Sequence, residues 1–103
     1  MSMLHTDRVA KERRKPLNHR IIAGNLAEAN EEIAKLLFKA VHGRLKEEEL
    51  QIGLLHAYHH LNFAWNVRRT ATGDYVKLSQ KQFERWGRYP ADIERRPEKK
   101  TLL

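Results

Sequence analysis

The chain reads as an all-α protein organised around one long central helix, and three observations predict this. Residues 25–41 carry apolar side chains on one face at helical spacing, residues 46–71 carry them on two opposite faces, and Ser79 opens a third helix with two separate start signals. The expected arrangement is an antiparallel helical hairpin with a short C-terminal helix, two copies dimerising into a four-helix-type assembly.

The first helix is expected to start at Asn25, where Asn25 and Glu28 resemble a capping box, and to stop at Gly43. Leu26, Ala29, Ile33, Leu36, Leu37, Ala40 and Val41 share one side of it, with Glu28, Glu32, Lys35 and Lys39 opposite. This is the pattern of a surface helix with one buried face.

A connection of four residues, Gly43 to Lys46, leads into the second helix. Glu47, Glu48 and Glu49 suit the positive end of its dipole, and Arg68 and Arg69 suit the negative end, with Gly73 as the stop. One stripe of this helix holds Leu50, Leu54, Ala57, Tyr58, Leu61, Ala64 and Trp65; the opposite stripe holds Leu45, Ile52, His56, His59, His60, Phe63 and Val67. A helix that is apolar on both sides must be covered on both. The first stripe is assigned to the first helix. At about 1.5 Å per residue the second helix also outruns the first by about 12 Å, leaving Ala64–Thr70 to be buried by something else.

The third helix supplies one cover. Ser79 with Gln82 forms a capping box, Leu78 and Phe83 stand as a hydrophobic staple, and Gly87 follows Trp86. For the rest of the second stripe a copy of the chain is expected, because roughly 65 structured residues make a marginal core on their own. The interface expected is therefore Ile52, His56, His59, His60, Phe63 and Val67, with association weakening as pH falls through the imidazole range. A different protein on that face, or the chain's own Leu17–Ile22 segment folded over it, are the alternatives.

Domain organisation follows: a basic N-terminal segment 1–16, a helical domain 17–89 and an extended basic tail 90–103. The net charge of +7 resides at the two ends, since residues 24–73 carry six basic and six acidic side chains. Such ends allow a nucleic-acid reading, with Arg13, Arg14, Lys15 and Arg20 at one end and Lys77, Lys81, Arg85 and Arg88 among Tyr75, Trp86 and Tyr89 at the other.

A third possibility is metal. His56 and His60 lie four residues apart on one helix face, the spacing of paired ligands, and Glu49 lies two turns earlier. The chain lacks cysteine, which excludes thiolate ligands, disulfides and cysteine nucleophiles. Its glycines are isolated and Ser79 is used in a cap, so the sequence weighs against catalysis, and no cofactor or small-molecule substrate is expected. Without an apolar run long enough to span a bilayer, the expected location is the cytoplasm. The expected role is binding: a small helical interaction protein acting as a homodimer or on a partner.

Overall fold

The computed structural model describes residues 15–94. Among them the protein is all-helical, with α1 over His19–Val41, α2 over Glu47–Asn66, α3 over Thr72–Tyr75 and α4 over Gln80–Trp86. Arg13, Arg14 and the basic run from Arg95 lie outside the described residues.

The first helix is capped seven residues before the expected cap, and a tertiary contact explains why. Asn18 is the N-cap: its side-chain oxygen accepts from the Ile21 N–H. Its side-chain nitrogen donates to the Thr70 carbonyl at 2.7 Å, and its backbone N–H donates to the Arg68 carbonyl at 2.6 Å. The start of α1 is thereby tied to the loop that follows α2. Asn25, the expected cap, is buried inside α1. The other end is as expected, with Gly43 alone among the described residues at positive φ (67°), a conformation that glycine adopts without a Cβ penalty.

The second helix starts as anticipated. Glu49 reaches back to accept from the Lys46 backbone N–H and also pairs with Lys39 of α1 at 2.6 Å. It ends at Asn66, short of the expected residue 71. Arg68 and Arg69 therefore lie in the turn after it, where the Arg68 and Thr70 carbonyls face Asn18 rather than the next helical turn. With α1 about 35 Å long and α2 about 30 Å, the expected overhang does not exist.

Contacts between α1 and α2 ascend one helix while descending the other, from Lys39 with Glu49 through Leu36 with Gly53 and Glu32 with His56 to Asn25 with His60. The line of contact on α2 passes through Gly53, Ala57 and Ala64, all buried. A Cβ on Gly53 would sit 2.8 Å from a methyl of Leu36. These small residues let α1 approach, so α1 covers neither of the two apolar stripes of α2 squarely.

The core lies at the far end of the pair, where Ile21, Phe63 and Val67 pack together with Tyr75, Leu78 and Trp86 against them. The capping box at Ser79 forms as expected, with Gln82 N–H donating to Ser79 Oγ and Ser79 N–H to Gln82 Oε1. It orients α4 so that Phe83 meets Phe63 with ring centroids 5.2 Å apart. Two asparagines on α2 then hold the chain beyond α4. Asn62 donates to the Gly87 carbonyl at 2.8 Å, and Asn66 to those of Trp86 and Arg88. Trp65 completes the clasp through Asp92 at 2.9 Å.

Phe63 and Val67 are thus interior to the chain, 4% and 0% exposed, and offer no surface to a second molecule. Ile52, from the same stripe, is 68% exposed. Phe63→Ala should accordingly lower folding stability by about 3–5 kcal/mol in urea titrations, while Ile52→Ala should change it by no more than about 0.5 kcal/mol.

Candidate functional site

The two long helices carry different chemistry on their two sides. Measured at 100° per residue from the line of contact, Leu26, Ile33 and Leu37 of α1 and Leu50, Leu54, Tyr58 and Leu61 of α2 are displaced in one rotational sense. Glu28 of α1 and Ile52, His56 and His59 of α2 are displaced in the other. For right-handed helices running in opposite senses, flanks displaced alike fall on the same side of the pair. Glu28 and His56 bear this out, because their ligand atoms lie within 4.8 Å of each other.

One side is therefore apolar. Its seven large side chains are all exposed, from 37% at Leu50 to 62% at Leu37. The stripe assigned from sequence to the hairpin interior, through Leu54, Tyr58 and Leu61, is the one left open. It is also the wrong side for the histidines, which line the opposite flank.

On that flank the structure assembles a polar cluster. His60 Nδ1 lies 2.8 Å from Asn25 Oδ1. The Asn25 nitrogen donates to the Ile21 carbonyl and the Tyr75 hydroxyl, so its oxygen is the acceptor toward His60 and places the imidazole proton on Nδ1. His56 Nδ1 lies 3.1 Å from Glu32 Oε2, which fixes its proton in the same way. The remaining nitrogens, His56 Nε2 and His60 Nε2, face each other at 3.1 Å. Glu28 contributes a carboxylate within 4.8 Å of both imidazoles.

Burial, and secondarily the neighbouring His56, hold His60 below the ordinary imidazole value of 6.5. Glu28 and Glu32 pull the other way. Glu49, expected from spacing to join the two histidines, is instead engaged by Lys39, which holds its carboxyl below the ordinary range. Glu28 and Glu32 were not found from sequence because they sit on α1, and only the pairing of the helices brings them to His56. His59 stands apart, its ring 5.9 Å from that of Tyr58.

Apart from Arg20, the described basic candidates border two depressions that share Gln82. Arg20 is exposed on α1, while Lys81, Arg85 and Arg88 border a shallow depression beside Ser79. Lys15 and Lys77 border a larger groove between the start of α1 and α4, together with Trp65, Arg68, Arg69 and Trp86. Much of that groove is internally committed: Arg68 stacks on Trp65 at 3.8 Å and pairs with Asp92, Arg69 donates to the Lys15 carbonyl, and Trp86 packs on the core. No described helix is long and apolar enough to cross a membrane. In comparisons with known proteins, no family, curated sequence or solved structure matches the chain.

The depressed His60 value has a consequence for folding. An unfolded chain takes up the proton near pH 6.5, whereas the folded chain resists it. The contribution is thus complete above pH 6.5 and is lost as pH falls through that value toward the lower folded one. The charged and titratable groups acting on His60 are His56, Glu28, Glu32 and His59. Urea midpoints should therefore drop between pH 7.5 and 5.5, and the drop should shrink in His60→Gln.

Proposed function

We propose that the protein is a helical interaction module that self-associates through its apolar side, two helix pairs packing face to face into a four-helix arrangement. The observation behind this is the continuous side formed by Leu26, Ile33, Leu37, Leu50, Leu54, Tyr58 and Leu61. Two helices about 30 Å long and about 9 Å apart present a surface of roughly 500 Å², the size of the largest apolar patch on a typical monomer, which is often functional.

Three features favour a second copy as the occupant. The two helices are of similar length, 23 and 20 residues, so a copy placed by a two-fold axis covers the whole side without overhang. Residues 24–73 are electrically balanced, so two such segments meet without net repulsion. Among the described residues the buried apolar cluster is small, formed by Ile21, Phe63 and Val67, and a shared interface adds apolar burial to it. The role is binding, and the histidines lie on the outer side of such a dimer.

Light scattering on the eluting peak tests this directly. At tens of micromolar the chain should have about twice its 12.2 kDa mass. Leu54→Glu and Leu37→Glu, each placing a carboxylate on the apolar side, should return the mass to one chain with helical circular dichroism unchanged. A wild-type chain that remains at one mass at this concentration would overturn the proposal.

A further inference from the structure

We infer that Glu28, His56 and His60 form a binding site for a divalent transition-metal ion of the zinc class, with Glu32 and Asn25 orienting its two imidazoles. The inference stands on geometry alone and does not depend on self-association, since the site lies on the side of the helix pair away from the apolar face.

The decisive feature is the state of the two rings. Each imidazole has its Nδ1 proton directed at an acceptor, Glu32 Oε2 for His56 and Asn25 Oδ1 for His60. In the neutral rings both Nε2 atoms then present lone pairs, and they present them to each other at 3.1 Å. Two lone pairs at that separation repel unless a cation lies between them. A metal ion between them removes that repulsion. Two imidazole nitrogens bound at about 2.0–2.1 Å to one tetrahedral ion stand about 3.3 Å apart, close to the separation found.

The surroundings have the features of a metal site. Ligating histidines usually donate their second ring N–H to a carboxylate or a carbonyl oxygen, which fixes the tautomer and raises basicity. Here one ring has each kind of partner. Glu28 supplies an anionic oxygen within 4.8 Å of both histidines. The resulting donor set, two nitrogens and one carboxylate, suits Zn²⁺, Ni²⁺ or Cu²⁺ rather than Mg²⁺ or Ca²⁺. Glu28 and His56 are exposed while His60 is half-buried, so a fourth position opens to solvent for water or an exogenous ligand. The ligands also come from both long helices, so the ion would join α1 to α2.

Titration of the full chain with Zn²⁺, read by calorimetry and by the thermal midpoint, tests the assignment. One ion per chain should bind, raising the midpoint. His56→Ala should weaken binding at least about 100-fold, and Glu32→Gln, which leaves all three ligands in place, about 10- to 100-fold. His42→Ala, remote from the cluster, should bind like the wild type. His56 is exposed, so its replacement leaves the helices folded, as circular dichroism will show. Co²⁺ should give the intense visible absorption of a low-coordinate site in the wild type and lose it in His56→Ala. Zn²⁺ affinity in the His56→Ala, His60→Ala double variant equal to that of the wild type would overturn the inference, as would the absence of any midpoint shift.

Discussion

The side-chain amide of Asn25 is the interaction on which most of this structure depends. It is 4% exposed and joins three helices, donating to the Ile21 carbonyl within α1 and to the Tyr75 hydroxyl of α3 while accepting from His60 of α2. A buried amide left without such partners would cost about 1–3 kcal/mol, so the three helices are held in the one arrangement that satisfies it. The same bonds decide chemistry. By spending its nitrogen on Ile21 and Tyr75, Asn25 turns its oxygen toward His60 and so sets which ring nitrogen carries the proton.

Asparagine does similar work elsewhere. Asn18 fastens the start of α1 to the loop after α2, and Asn62 and Asn66 fasten the chain after α4 to the end of α2. These directional bonds act where apolar burial is thin, since among the described residues the central buried cluster is Ile21, Phe63 and Val67. They also order the stretch Tyr58–Asn66, where His60 faces α1 while Asn62, Trp65 and Asn66 face the end of α4 and the segment after it. The apolar residues between them fill the core or the open side.

What was legible in the sequence was local. Gly43 as a helix stop and Ser79 with Gln82 as a helix start each depend on a few adjacent residues, and both stand in the structure. The start of α1 was not legible, because Asn18 is selected over Asn25 by carbonyls some 50 residues away. The choice between the two stripes of α2 was not legible either, since hydrophobicity alone treats them alike. Size distinguishes them: Gly53, Ala57 and Ala64 trace the narrow line along which another helix can approach, and the large side chains fall to either side of it. Of the candidate metal cluster, the His56–His60 spacing was visible. Its acidic partner was not, because Glu28 and Glu32 reach His56 only through that line of approach, while Glu49 is drawn away by Lys39.

That line of approach separates the two functional proposals in space and relates them in energy. Small residues between α1 and α2 bring the backbones close, which pushes the leucines to one side and the histidines and glutamates to the other. An ion held by Glu28 together with His56 and His60 would bind only where both helices are in place, so its binding would favour the paired helices over the unfolded chain. The apolar side exists only in that same paired state. Occupation of one side therefore stabilises the surface presented on the other without touching it, and the coupling can be no larger than the stability that the ion adds to the pair.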